Sequence, residues 1–234
     1  MKKHIVVLTG AGVSAESGIS TFRDNGGLWD KFDPKVVASI DGWHRDKALL
    51  LDFYNIRRKE LAGVKPNAAH LAIAALEEKF NVDVITQNVD NLHERAGSTR
   101  VLHLHGELTK VRPEGCCNDE DGFSEKTVFD IGYGEIHLGD TAPNGQQLRP
   151  HIVWFGEPVP KIGKAIDIVS DADVLLIVGS SLSVYPAAGL YRYAPYEAPV
   201  YLIDPADVNV RDKRIRHIRE VASKGMEEFI KMIS

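Results

Sequence analysis

The chain of 234 residues is poor in cysteine: it has two, Cys116 and Cys117, and they are neighbours. Adjacent trans-linked residues hold their Cα atoms ~3.8 Å apart, below the ~4.4–6.8 Å that a disulfide prefers. No internal bridge is expected, which excludes a disulfide scaffold and makes a reduced, cytoplasmic setting the default. Long hydrophobic runs are missing too. The most apolar stretches, Ile5–Leu8 and Val174–Val178, fall far short of the ~20 residues of a membrane span, so no membrane partner is expected. Neither sign of charge dominates: 28 Lys+Arg against 33 Asp+Glu leave a net charge of −5, without the basic field that recruits nucleic acid. A strand-like run begins within four residues of the start, so no signal peptide is expected. Repeats and low-complexity tracts are absent. What remains is an ordinary globular composition, 44% hydrophobic and 26% charged, which names no reaction.

What the sequence does contain is punctuated apolar runs ending in glycine or small polar residues. They lie at His4–Thr9, Val82–Thr86, Val101–His105, His151–Phe155, Ala172–Val178 and Pro199–Ile203. Near-continuous hydrophobicity reads as strands covered on both faces, as in a parallel sheet. Helical patterns fall between them, at Asp46–Leu61, Asn67–Lys79, Lys161–Ser170, Pro186–Tyr193 and Ser223–Ile233. This alternation predicts an α/β fold, a doubly wound parallel-sheet, Rossmann-like domain. Two stretches break the rhythm and read as insertions. The expected organisation is a discontinuous main domain of residues 1–30, 67–106 and 150–234, with a small lobe from residues 31–66 and 107–149.

Candidate chemistry gathers at predicted strand ends. The first strand runs into Gly10-Ala11-Gly12-Val13-Ser14-Ala15, where glycines let backbone N–H groups approach a phosphate. Ala15 holds the place of the third fingerprint glycine, and no strand with a terminal acid follows at the usual distance, which disfavours a hydride-transfer dehydrogenase. Phe22, Arg23 and Trp29 lie on a glycine-flanked loop that could close over a cofactor or pack into the core. Gln87, Asn88 and Asp90 follow the second strand and offer amides and a carboxylate suited to hydroxyls and a carboxamide, or a helix cap. His105 ends the third run, where an imidazole is a natural general base. Gly179, Ser180, Ser181 and Ser183 form a second cradle. Asp204 ends another strand and fits a ribose hydroxyl, or a turn before Pro205.

In their order, these pieces resemble the sirtuin family of NAD-dependent protein lysine deacylases. The motifs that carry the resemblance are Gly-Ala-Gly-Val-Ser (10–14), Gly-Ile-Ser-Thr-Phe-Arg (18–23), Thr-Gln-Asn-Val-Asp-Asn-Leu-His (86–93), His105-Gly106, Pro-His-Ile-Val-Trp-Phe-Gly-Glu (150–157) and Gly-Ser-Ser-Leu (179–182). The resemblance implies NAD as cofactor and acylated lysines of proteins as substrates. It matches Gly10, Ala11, Gly12 and Ala15 to the pyrophosphate cradle, and Phe22, Arg23 and Trp29 to the mobile cofactor loop. Gln87, Asn88 and Asp90 match the ribose and nicotinamide pocket. Gly179, Ser180, Ser181, Ser183, Asp204 and Ala222 match the adenosine side, although many relatives carry Asn where Asp204 stands. His105 matches the catalytic base, with Asn88 and Asp90 beside it. The implied products are free lysine, nicotinamide and an acyl-ADP-ribose. Val153, Trp154 and Phe155 match the segment that pairs with an extended substrate peptide.

Two features refine the resemblance. Tyr54 and Arg57 stand at i, i+3 on one helical face. They look like the Tyr-x-x-Arg pair of sirtuins that remove succinyl and malonyl groups, in which Arg grips the distal carboxylate. Against that stands an ordinary basic helix face, Arg57-Arg58-Lys59. The second feature is a departure: most sirtuins hold zinc in a closed Cys₄ site, whereas residues 107–149 offer only Cys116, Cys117 and His137. No structural zinc is expected. The rival readings are an ADP-ribosyltransferase on the same scaffold and a catalytically idle NAD- or acyl-lysine-binding module.

Overall fold

Valine, isoleucine and leucine fill both faces of the first strand, β1 (His4–Thr9), in which every residue after His4 is buried. In the computed structural model, which describes residues 2–20, 32–115, 127–208, 210 and 212–233, this strand lies mid-sheet. Its neighbours are β2 (Asn81–Thr86) on one side and β7 (Val174–Val178) on the other, both parallel to it. With β3 (Val101–His103), β8 (Val200–Ile203) and β9 (Ile215–Ile218) they form a six-stranded sheet of order β3-β2-β1-β7-β8-β9. Every pairing in it is parallel. The expected doubly wound α/β fold is thus the observed one. The order in which strands are added reverses between β1 and β7, β2 and β3 lying on one side and β8 and β9 on the other, and ligands of such sheets sit in the crevice beyond the strand ends at that point.

Helices cover both faces. Ala68–Ala75 and Ala222–Ile233 share one core with Val7, Val84 and Ile203 through Ile73, Met226 and Phe229. Ile162–Ser170 and the 3₁₀ segment Ala187–Tyr193 share the other with Val6, Leu175 and Ile177. Asn67 caps the helix at 68–75 by accepting from the N–H groups of Ala69 and His70, as Ser, Thr, Asp and Asn do at such ends. Gly225 lets the C-terminal helix approach the sheet, since a Cβ there would lie 2.2 Å from the Ile203 side chain.

A second sheet is antiparallel, with order β5-β4-β6. Its strands are β4 (Gly106–Pro113), β5 (Phe129–Asp130) and β6 (Leu148–Ile152). Helices Pro34–Val37, Ile40–Arg45 and Lys47–Gly63 precede it in the chain, capped by Asp33, Ser39 and Asp46. Trp43, Leu50, Phe53 and Tyr54 share a third core with Leu108, Val111, Ile152 and Trp154. The run His151–Phe155 is therefore not a parallel strand of the large sheet. It overlaps β6, which is buried from Arg149 to Ile152, so its apolar run could not tell parallel from antiparallel pairing. The run at 101–105 leaves the sheet after His103, and the pattern at 186–193 forms a 3₁₀ segment rather than an α-helix.

A polar cleft at the reversal of strand order

Two glycine turns press backbone against backbone where β1 and β7 end. Gly10 N–H donates to the Val178 carbonyl (3.0 Å) and Gly12 N–H to the Gly179 carbonyl (2.9 Å). A Cβ on Gly10 would lie 2.7 Å from the Gly179 oxygen, and one on Gly179 would lie 2.2 Å from the Val13 nitrogen. Gly179 also has φ +62°, the left-handed region that favours glycine. Among the described residues the Ala11 N–H has no hydrogen-bond partner. Ser180 is buried beside this contact, and its hydroxyl accepts from Gln87 Nε2 (3.2 Å) and from the Leu182 N–H (3.3 Å). Ser181 and Ser183 pair hydroxyl to hydroxyl at 2.6 Å.

The segment after β2 packs its polar side chains under the first turn. Asn88 Nδ2 donates to the Gly10 carbonyl and to Ser14 Oγ, both at 3.1 Å. The Ser14 hydroxyl in turn donates to Asp90 Oδ2 at 3.0 Å. The other Asp90 oxygen accepts the N–H of Leu92 (3.1 Å), the first residue of the helix Leu92–Ala96, whose N-cap is Asn91.

His105 follows β3 as the chain leaves the sheet. Its Nδ1 lies 3.0 Å from the Gln87 carbonyl oxygen. A carbonyl only accepts, so Nδ1 carries the proton of the neutral ring and Nε2 is left bare. Burial pushes the imidazole below its ordinary pKa, opposed by that hydrogen bond. His103 differs although it stands two residues away. It is buried against Glu94 (2.8 Å), and although burial alone lowers its pKa, the Glu94 hydrogen bond and charge leave it raised.

Tyr54 and Arg57 are neighbours on the helix but have different surroundings. The Tyr54 hydroxyl is buried and accepts from Trp154 Nε1 at 2.7 Å. Arg57 lines a small cavity of about 30 Å³ with Gly18, Ile19, Asp90 and Leu108, its guanidinium 5.9 Å from the Tyr54 ring centre. Burial lowers its pKa, with Tyr54 and Asp90 acting in the opposite direction. The N–H groups of Val153, Trp154 and Phe155 donate to the His105 carbonyl, the Glu157 carboxylate and the Ala38 carbonyl. Phe155 is exposed, whereas the Trp154 side chain is buried beneath the segment. Asp204 is buried at the end of β8, where its carboxylate accepts the Ala206 N–H (2.9 Å), the contact of a turn former. Ala222 is buried at the start of the C-terminal helix. Phe22, Arg23, Trp29, Cys116 and Cys117 lie outside the described residues.

The Sir2 family profile matches residues 10–186, from the first glycine turn to just past the second. The chain belongs to the Sir2 family. A protein of Bacteroides thetaiotaomicron named NAD-dependent protein deacylase is 54% identical over 234 residues, covering 99% of this chain and 98% of that protein. Another so named, from Helicobacter pylori strain J99, is 48% identical over 97% of this chain and 94% of its own length. Among solved structures, a Sir2 homologue in complex with NAD is similar at TM-score 0.86 and 35% identity, covering 99% of this chain and 90% of that one.

Reading this Sir2-family chain by motif alone missed several residues of the cleft. Ser14 lies inside a quoted motif, yet only the fold makes it the joint between Asn88 and Asp90. Beneath it, His70 Nε2 approaches Ser14 Oγ (3.4 Å) and His93 Nε2 approaches Thr9 Oγ1 (3.0 Å). The two rings meet edge to face at 4.9 Å, and burial lowers both pKa values. The signal for His70 was its place at the third residue of a capped helix, where its Nδ1 accepts the Asn67 N–H. Glu157, Arg149 and Arg112 were missed as well. Arg149 and Glu157 form a buried bidentate pair at 2.7 and 2.9 Å, with Arg112 at 3.5 Å. Among the described residues no three His, Cys, Asp or Glu side chains group as a metal site.

Proposed function

We propose that the chain is an NAD-dependent protein-lysine deacylase that removes acetyl groups and, through Tyr54 and Arg57, succinyl and malonyl groups. NAD dependence and protein deacylation are the named properties of relatives that span its whole length. The double glycine contact supports NAD as the cofactor, because the space that any Cβ would fill at Gly10, Gly12 or Gly179 is already taken by backbone. The glycines let the two turns pack on each other, and beside them the Ala11 N–H, without a partner among the described residues, is left to face a pyrophosphate. When bound, NAD supplies an electrophilic ribose carbon with nicotinamide as leaving group.

The chain's own residues divide the remaining tasks. Gly10, Ala11, Gly12 and Ala15 face the pyrophosphate. Gly179, Ser180, Ser181, Ser183, Asp204 and Ala222 form the adenosine side, and Phe22, Arg23 and Trp29 form the covering loop. Gln87, Asn88 and Asp90 hold the ribose and the carboxamide. Both Asn88 amide protons are engaged by Gly10 and Ser14, which leaves Oδ1 to accept from a ligand. His105 Nε2 takes the proton of a ribose hydroxyl; its bare lone pair, set by the Gln87 carbonyl, is the single observation that carries this reading. The proposed products are free lysine, nicotinamide and O-acyl-ADP-ribose. A Sir2 structure with a deacetylated p53 peptide and 3′-O-acetyl-ADP-ribose, 28% identical at TM-score 0.79, supports that assignment. The peptide would lie along residues 153–155; their N–H groups and the Trp154 and Phe155 carbonyls are engaged, so it would pair with the Val153 carbonyl.

The same reading assigns residues 1–30, 67–106 and 150–234 to cofactor binding and residues 31–66 and 107–149 to the small lobe. It assigns no structural zinc, because two adjacent thiols fall short of a four-ligand site, and it keeps a cytoplasmic setting. The test is nicotinamide release from NAD with an acyl-lysine peptide, followed by mass spectrometry of the peptide. Loss of the acyl mass supports deacylation, a large gain means ADP-ribosyl transfer, and no nicotinamide release means an idle binding module.

A further inference from the structure

The Tyr54 hydroxyl is committed on one side. Indole Nε1–H donates and never accepts, so the 2.7 Å contact with Trp154 occupies an acceptor position on the phenol oxygen. Tyr54 and Trp154 are both almost fully buried, at 1% and 2% exposure. Among the described residues nothing accepts the Tyr54 proton. A buried hydroxyl proton without an acceptor is costly, and an incoming oxygen relieves that cost.

The indole is itself clamped. The Arg149 guanidinium lies over its ring at 3.6 Å. Arg149 is held bidentately by Glu157, and the same Glu157 carboxylate accepts the Trp154 backbone N–H at 2.8 Å. Glu157 therefore fixes both the main chain of Trp154 and the cation stacked on its face. Burial keeps the phenol protonated by raising its pKa, with Arg57 pulling the other way.

We infer that Trp154 is a positioning residue for acyl selectivity, held by the Arg149–Glu157 pair, which occupies an acceptor position of the Tyr54 oxygen and so orients the hydroxyl proton for donation to an acyl carboxylate. The inference rests on the reading of Tyr54 and Arg57 as the carboxylate grip. It extends that reading to residues that touch neither the acyl chain nor the cofactor. The arrangement favours acyl groups that end in an acceptor, because an acyl tail without one leaves the phenol proton unmatched.

Trp154→Phe keeps a ring against Arg149 and deletes the N–H. Values of kcat and KM are measured with NAD on matched acetyl- and succinyl-lysine peptides. The succinyl-to-acetyl ratio of kcat/KM should fall roughly fivefold, as for loss of one net hydrogen bond, and the fall should lie in KM for the succinyl peptide. Tyr54→Phe should lower the same ratio, and the double variant should fall no further, since the two residues act as one unit. Equal loss on both peptides, or additive losses, would overturn the inference. A second measurement needs no variant: the Trp154 indole N–H resonance of the ¹⁵N-labelled chain should shift on adding succinyl-lysine peptide without NAD, and much less with acetyl-lysine peptide. Equal shifts, or none, would also overturn it. If the wild type leaves succinyl-lysine untouched, the grip reading fails and the inference with it. If the wild type desuccinylates, Arg57→Met removes that preference and Trp154→Phe keeps it, only the inference fails.

Discussion

His105 Nδ1 and the carbonyl oxygen of Gln87 stand 3.0 Å apart, and this contact decides which imidazole nitrogen is available to a ligand. It also ties the proposed base to the strand end whose side chains, Gln87 and Asn88, reach the two glycine turns. A base set this way works only while neutral. Burial lowers its pKa, so the neutral form persists to more acid pH than for a free imidazole near 6.5. Deacylation should be level through neutral pH and fall along an acid limb whose midpoint lies below 6.5. A limb centred above that value would contradict the assignment. His105→Ala should lower kcat by about 10²–10⁴ while the thermal melt remains cooperative.

The glycine contact predicts a different phenotype. Gly179→Ala places a methyl 2.2 Å from the Val13 nitrogen at a positive φ. The two turns must separate, so KM for NAD should rise at least tenfold and the melting temperature should drop by several degrees, as for a strain of about 1–3 kcal/mol. Gly18→Ala also meets a positive φ, but its Cβ would meet nothing within 4 Å. It should leave the turns in contact and cost less in KM. Equal effects of the two variants would argue against backbone packing as the basis of the cradle.

Much of this was legible in the sequence, for identifiable reasons. β1 past His4, β7 and β8 are buried on both faces, so their apolar runs are continuous and bounded by glycine or polar residues. The small sheet was not legible. β4 carries Arg112 at 0% exposure, and its counter-charge, Glu157, lies 45 positions away. A local window reads that strand as a charged loop. β9, Ile215–Ile218, is too short and too polar to stand out. The site followed the same division. Strand-end residues announce themselves because chemistry gathers there in parallel sheets, so His105, Asn88 and Asp90 stand out as candidates. Ser14, His70 and Trp154 act through partners 56 to 100 positions distant, and no motif spacing contains that information.

Arg57 separates the acyl specificities. Replacing it with Met keeps the length of the side chain and removes the guanidinium. Desuccinylation should fall by ten- to a hundredfold in kcat/KM, as expected for about 1.5–3 kcal/mol from a charged hydrogen bond, and deacetylation much less. Proportional losses on the two peptides would refute a carboxylate grip.

Acid should unfold the chain early. Burial lowers the pKa values of His70, His93, His105 and His151, the last to about 3. Below the unfolded value near 6.5, each takes up a proton when the chain unfolds but not while it is folded. Stability is therefore full above that pH and falls as pH drops below it, by up to ~1.4 kcal/mol per pH unit for each such group. His103 has the opposite sign: its raised pKa adds stability that is full below 6.5 and fades as pH rises through its folded value. Urea melts should place maximum stability near neutral pH, with a steep decline between pH 6.5 and 5. A flat profile there would show that these rings protonate without cost.

One assay distinguishes a deacylase of this breadth from its rivals: nicotinamide release from NAD with matched acetyl-, malonyl- and succinyl-lysine peptides, with each peptide weighed afterwards. NAD-dependent loss of all three acyl groups is expected, with malonyl and succinyl removal depending on Arg57. Release of nicotinamide with the acyl group left in place, or removal of acetyl alone, would contradict it.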